Sequence, residues 1–571
     1  MQAQTMSKAK RTMNGCLTEQ RASGQRSKSG ARKMPVTLFC LVVMAPVIGV
    51  PTPPLTSDLQ SIDRRTNLLA QAQSSANREL GDAAGSVGGP KPPKGLTAGD
   101  AIIKALETPI LRKAKVSVVA VDLNRGRTIF SYRPNALLNP ASVVKLFTGA
   151  AALHYLKPEY RFESTVWLKK EELIGGVLNG DLHIRGGGDP TLVSERLWLW
   201  VTELHHLGLN EIKGDLVIDE SFFDKRRIGP GFDTEDTDFA YMAPVGALTV
   251  NFNAVGVHIR PGVKVGDAAV VSVEPDTPYV KLDAKISTRK GNGQYLMVGS
   301  KAGAKGVRQE LRVRGWIGIN QSPKVVWRKI DHPPLYAGYT LRDMLLRRGI
   351  KVGGTVKVGL VPEDAERFHT FVSRRLSEVL DDLNKYSNNL VAELILKTIG
   401  AVVFKEAGSW ENGIEAIQRF LKEEVGIAPD QYVMRNGSGL NDTNRFSAAL
   451  IVRLLDYIYR SREIAYELIP SLGVSGATGT VRKRLTGAGV HHKVRAKTGT
   501  LTGVTALSGY VMSRDRVVVA FTVLVNGLTV SPRRANKVVD KIVEALSSLP
   551  LHGGPSTWEP KAQLAKSKGR K

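Results

Sequence analysis

The chain has 571 residues, enough for several domains, and its 42% hydrophobic and 6% aromatic content excludes a disordered polymer. A formal net charge of +27 would suit an anionic wall polymer, lipid or nucleic acid, but no nucleic-acid motif or aromatic-interleaved basic stripe accompanies it. A basic solvated surface is therefore expected and no nucleic-acid partner, with peripheral association with the cell wall or membrane surface as the remaining use of the charge.

In chain order, residues 1–50 form a basic, polar stretch followed by an apolar run over 35–50 that is too short and proline-broken to span a membrane comfortably. This predicts an export signal with a long basic region, the alternative being an uncleaved signal anchor, and hence a periplasmic or cell-envelope location. The two cysteines, Cys16 and Cys40, fall in this segment, so neither a disulfide framework nor a thiol nucleophile is expected. Residues 51–97 turn to Pro, Gly, Ser, Gln and Ala, the composition of a disordered linker.

Folded structure is expected from residue 98. Ala101–Glu107 has helical spacing, and Val116–Asp122 and Thr128–Tyr132 alternate as strands around a turn at Asn124–Gly126. Pro140 then precedes a run of helix formers, which places Ser142 in a first helical turn with Lys145 almost one turn later on the same face. An amine buried among Val143, Leu146 and Phe147 loses proton affinity and can serve as a general base near neutral pH. The helix N-terminus adds positive potential, and the Ser142 N–H is a candidate oxyanion donor.

Residues 161–335 are rich in short strands and Gly-containing turns, most clearly over 264–326, with little helical periodicity. Residues 336–550 regain helical and strand patterns. In that part Ser387 and Asn389 begin a helix carrying Leu390, Leu394 and Ile395, and Lys497-Thr-Gly-Thr500 lies in the first of two antiparallel strands. A further hairpin over 503–526 and a helix bearing Val538, Val539, Ile542, Val543 and Leu546 follow. The two ends of the folded region should thus share one antiparallel sheet. Residues 551–571 read as a basic, disordered tail.

Alone, each short motif is weak: Ser7-Lys-Ala-Lys10 and Ser75-Ala-Asn77 repeat two of the patterns in linker-like sequence. Their joint, ordered occurrence carries the argument. A serine hydroxyl attacks a carbonyl only with a base in reach and donors for the oxyanion, and Ser142-Val-Val-Lys145, Ser387-Asn-Asn389 and Lys497-Thr-Gly-Thr500 supply those parts.

On these motifs, and on Gly180–Leu192, Tyr241–Val250 and Asn436-Gly-Ser-Gly-Leu440, the chain resembles the penicillin-binding D-alanyl-D-alanine carboxypeptidases/endopeptidases of the type-4 low-molecular-mass class (class C) from about Ala98 to Leu549. The separation of 245 positions from Ser142 to Ser387 favours that class over class A β-lactamases, which resemble the site but carry a short stretch there. The resemblance implies an α+β fold: a serine β-lactamase/transpeptidase-like domain, antiparallel sheet with helices, interrupted over residues 161–335 by a β-rich insertion of two small domains and completed by residues 336–550. It implies Ser142 as nucleophile, Lys145 as base, Ser387 as proton shuttle, and Asn389 on the substrate amide and Lys145. Lys497 and Thr498 would bind the terminal carboxylate, Gly499 would allow close approach, and Thr500 would complete the oxyanion hole. Peptidoglycan stem peptides are the implied substrate and β-lactams covalent inhibitors.

The resemblance also implies that Asp236 and Tyr241 line a pocket for the stem diamino acid and that Ser438 contacts substrate. The chain departs from the family where an arginine meets a substrate carboxylate, because that position is Asp442; Arg445 is the candidate substitute. The histidine pairs His205-His206 and His491-His492 lack i, i+4 spacing, so no metal or cofactor is expected. Gly186–Gly188 lacks a following Lys-Ser/Thr and is a turn. The competing readings are a β-lactamase or esterase on the same fold and a non-catalytic cell-wall binding scaffold.

Overall fold

The computed structural model describes residues 98–232, 237–301 and 309–549. The expected export segment, linker, basic tail and Asp236 lie outside the described residues. The two ends of the folded region build one six-stranded antiparallel sheet from β1 (Lys115–Asp122), β2 (Arg127–Tyr132), β3 (Gly473–Val474), β4 (Val494–Leu501), β5 (Val504–Met512) and β6 (Val518–Asn526), in the order β3-β4-β5-β6-β1-β2. Continuous apolar runs such as Val-Ser-Val-Val-Ala-Val in β1 suit a sheet covered on both faces.

One face packs on α1 (Ala98–Leu106) and on the C-terminal helix Pro532–Ser548 through Ile102, Val118, Phe521, Val539 and Ile542. The other face, through Val119, Ala506, Ala520 and Leu524, packs on the helical layer that holds the three motifs. At its centre lies α2 (Lys145–Leu156), buried nearly all round, as its Ala- and Leu-rich sequence requires. Around it stand α3 (Leu376–Asn384), α4 (Asn389–Phe404), α5 (Trp410–Phe420), α6 (Ala448–Arg460) and α7 (Arg462–Ser471). Gly149 allows this packing, since a β-carbon there would sit 2.9 Å from Leu468 Cδ1.

Between α2 and α3 the chain makes the insertion. A five-stranded sheet runs in the order Val356–Val358, Leu216–Asp219, Leu182–Arg185, Arg161–Leu168, Glu366–Arg375. Two three-stranded sheets, around Ala254–Arg260 and Gln309–Gly318, and the helices Ser194–His206 and Pro333–Arg348 join it in a single hydrophobic cluster. The expected insertion boundary at 335 is corrected by this pairing. Tyr336, Leu341, Ile350 and Phe371 belong to the insertion core, Glu366–Arg375 pairs with Arg161–Leu168, and the catalytic layer resumes only at Leu376. The helical periodicity of Pro333–Arg348 resembles that of the catalytic helices, so sequence gave no signal for which core it joins.

Leu341→Ala should therefore lower stability by about 2–5 kcal/mol, the cost of truncating a fully packed leucine. Denaturant unfolding measures it, and a loss below about 1 kcal/mol would contradict the burial of this helix in the insertion core.

Candidate active site

Asn139 fixes the entry to the site. Its Oδ1 accepts from Ala141 N at 2.8 Å, its N–H donates to Asn526 Oδ1 at 2.8 Å, and Asn526 Nδ2 donates back to Asn139 O at 2.9 Å. The turn is thereby tied to the end of β6, with Ala141 held at φ +46°, a conformation that costs a non-glycine residue free energy and persists only under such restraint. From this turn a short 3₁₀ segment, Ala141–Val144, runs into α2 and carries Ser142. Gly499 of β4 passes so close that a β-carbon would lie 2.6 Å from Pro140 O, which is why the strand can border the nucleophile only with glycine there.

Lys145 is fully buried, and its Nζ donates to Ser142 Oγ at 3.0 Å, Asn389 Oδ1 at 2.8 Å and Ser438 O at 2.6 Å. Burial lowers its pKa to about 7 against an opposing pull from Glu393. The three acceptors satisfy its N–H donors while leaving the ammonium desolvated, the state in which a lysine gives up a proton most readily.

A second buried lysine stands nearby. Lys497 of β4 donates to Ser387 Oγ at 2.7 Å and to Thr498 O at 2.9 Å, and its pKa is driven well below the usual lysine range by burial and then by Lys145. Ser387 precedes α4 with φ +59°, and Asn388 caps the helix by accepting from Val391 N at 3.2 Å. The cap sets Asn389 at the first helical position, where its Oδ1 meets Lys145 and its Nδ2 donates to Tyr241 O at 3.2 Å.

These groups border a cleft of about 900 Å³, lined among others by Ser142, Ser387, Asn389, Tyr241, Thr500 and Arg445. Lys145, Lys497, Thr498 and Gly499 are buried and do not line the cleft themselves, Lys145 and Lys497 meeting it through Ser142 and Ser387, and Thr498 Oγ1 lies 2.7 Å from Thr480 Oγ1. Two expectations change. Ser438 is fully buried, with its Oγ accepting from Leu440 N at 3.2 Å, so it serves the site through its carbonyl on Lys145 rather than through a side chain on substrate. Arg445 reaches the cleft but is paired with Asp442 at 2.8 Å, so the two charges largely cancel.

Sequence reasoning missed Glu393, Asn139 and the exposed Lys113 and Lys115, which line the same cleft. A lone carboxylate in the apolar run Leu390–Ile399 was a usable signal for Glu393. Nothing in the sequence pointed to the lysines, since β1 reaches the cleft only through the sheet order.

The sequence profile of the family described as D-Ala-D-Ala carboxypeptidase 3 (S13) matches residues 99–549. The chain is 33% identical over 437 residues to a D-alanyl-D-alanine carboxypeptidase of Actinomadura sp., covering 74% of this chain and 79% of the relative. It is 25% identical over 416 residues to D-alanyl-D-alanine carboxypeptidase DacB of Haemophilus influenzae, covering 72% and 86%. The crystal structure of penicillin binding protein 4 (dacB) from Haemophilus influenzae shares its fold, with a TM-score of 0.68 at 23% identity over 77% of this chain and 97% of that one.

Proposed function

This chain belongs to the D-Ala-D-Ala carboxypeptidase 3 (S13) family and is a DD-peptidase, and on that premise we propose that it works as a serine acyltransferase with Ser142 as nucleophile. The observation that carries this reading is the Lys145 ammonium, fully buried, 3.0 Å from Ser142 Oγ and titrating about 7. Neutral Lys145 takes the hydroxyl proton as Ser142 Oγ bonds to the carbonyl carbon between two D-alanines. The oxyanion faces the backbone N–H groups of Ser142 and Thr500. Ser387, held by Lys497, passes a proton to the departing amine, and the terminal D-alanine leaves. Water, deprotonated by Lys145, then hydrolyses the ester.

Burial and Lys145 both favour neutral Lys497, whereas a substrate carboxylate beside it favours the charged form. Capture of a free terminal carboxylate by Lys497 and Thr498 is thus coupled to proton uptake. The cleft of about 900 Å³ is roomier than one dipeptide needs, which supports endopeptidase cleavage of cross-links beside carboxypeptidase action. Tyr241 remains the described candidate for the diamino acid pocket. Against a β-lactamase stands the placement of acids: Glu393 is buried away from the cleft, and Asp442 on its wall is engaged by Arg445 and Asn139. With neither placed to activate a second water, deacylation relies on Lys145 alone, and penicillin should leave a long-lived acyl-enzyme. The substrate, peptidoglycan, puts the activity in the cell envelope, in keeping with the export signal read in residues 1–50; among the described residues no helix is long and apolar enough to cross a membrane.

Carboxylate recognition, displaced from position 442, passes in this reading to Lys113 and Lys115, because the Arg445 charge is spent on Asp442.

Release of D-alanine from a stem pentapeptide should rise in kcat/KM as pH increases through about 7 and level off above, since the neutral base form of Lys145 accumulates in that direction. A profile flat from pH 5.5 to 8.5 would contradict Lys145 as base. The double variant Lys113→Ala/Lys115→Ala should raise KM about 3- to 10-fold for stems bearing a side-chain carboxylate and leave amidated stems unchanged, a loss in the range of exposed charge pairs. Arg445→Ala should change neither by more than about 2-fold; a larger, carboxylate-selective loss there would return the role to Arg445.

A further inference from the structure

Glu393 is a fully buried carboxylate on α4, one helical turn after Asn389 and on the same face. Burying a carboxylate is costly unless its oxygens are satisfied and its charge has use. Its oxygens are satisfied: Oε1 accepts from Ser438 N at 2.8 Å, and Oε2 from Gly437 N at 3.0 Å and from Trp410 Nε1 at 2.9 Å. The segment it grips is the one that touches the proposed base. Ser438 O accepts from Lys145 Nζ at 2.6 Å, and Gly437 O accepts from Thr148 Oγ1 of α2 at 2.8 Å. Gly439 continues the turn at φ +74°, with Asn436 Oδ1 accepting its N–H at 2.9 Å. The Gly437–Ser438 backbone is thus clamped between α4 on one side and α2 on the other.

We propose that Glu393 is a positioning residue of this site: it presents the Ser438 carbonyl to Lys145 and holds a negative charge behind that buried lysine. The proposal rests on the reading of Lys145 as general base. The other charged groups facing this assembly differ in kind. Lys497 from β4 is driven towards its neutral form by burial and then by Lys145, so it supplies no anion here. Lys397, one turn further along α4, stacks 4.2 Å from the Trp410 ring and is paired with Asp224 at 2.5 Å, so its charge is answered there. Among the described residues Glu393 alone opposes the desolvation of Lys145.

The test is the pH dependence of the acylation rate constant with fluorescent penicillin, measured on the purified full chain. The wild type should show a rising limb with its midpoint near 7; if it shows none, the reading of Lys145 as base fails, independently of Glu393. In Glu393→Gln the limb should move to lower pH by at least about half a unit, because loss of a nearby opposite charge favours the neutral amine, and the plateau should fall because the base is weaker. Trp410→Phe removes one hydrogen bond to the same carboxylate and leaves its charge, so the rate should fall with the midpoint unmoved. Glu393→Asp, which keeps the charge and shortens its reach, should also hold the midpoint within about 0.3 of wild type while lowering the plateau. It keeps the test decisive if the glutamine variant does not fold. A glutamine variant with an unmoved midpoint, or an aspartate variant whose midpoint drops as far as the charge deletion predicts, would falsify the proposal.

Discussion

The site depends on holding two lysine amines out of water side by side. Lys145 and Lys497 are both fully buried, and each lowers the cost of its burial by donating to fixed oxygens: Ser142, Asn389 and Ser438 for the first, Ser387 and Thr498 for the second. Desolvation makes both amines weak bases, with Lys145 adding to it at Lys497, and that weakness is what gives a lysine a use in proton transfer at neutral pH. Burying a charge without such partners costs several kcal/mol, on the order of a domain's whole net stability. Every segment that supplies an acceptor is accordingly locked by packing or hydrogen bonds.

The fold answers this demand from three directions. The 3₁₀ segment Ala141–Val144 delivers Ser142 and the start of the central helix α2 delivers Lys145, with the entering chain anchored to β6 through Asn139 and Asn526. The capped start of α4 delivers Ser387 and Asn389, and the sheet delivers Lys497 with Gly499 narrow enough to pass Pro140. Because β1 and β6 are neighbours although about 400 residues apart in sequence, the N-terminal end of β1 also reaches the cleft and brings Lys113 and Lys115 with it. The insertion, returned to the catalytic layer at Leu376, contributes Tyr241, whose carbonyl accepts from Asn389.

Much of this was legible in the residues. The three motifs, the shared terminal sheet and the helix after Ser387 follow from spacing, turn chemistry and apolar periodicity, which are local properties. What was not legible depends on long-range packing. The helix Pro333–Arg348 has the same periodicity whichever core it joins, so the end of the insertion was placed some forty residues early. Ser438 sits in a glycine-flanked turn that looks exposed in sequence, yet Glu393 and Asn436 fold that turn inward. Arg445 carried a plausible charge for substrate, but its ion pair with Asp442 forms across three residues, and only the geometry shows that both side chains turn towards each other.

The central claim is that one serine among the chain's many is activated, and that the buried lysine beside it is the reason. Intact-protein mass spectrometry after brief exposure to penicillin, followed by proteolytic mapping of the adduct, tests it directly. The account predicts a single covalent addition on the peptide containing Ser142, lost in Ser142→Ala and strongly slowed in Lys145→Ala, by about 10² to 10⁴ as expected for removal of a general base. An adduct mapping to Ser387 or to another serine, or an undiminished rate without Lys145, would contradict it.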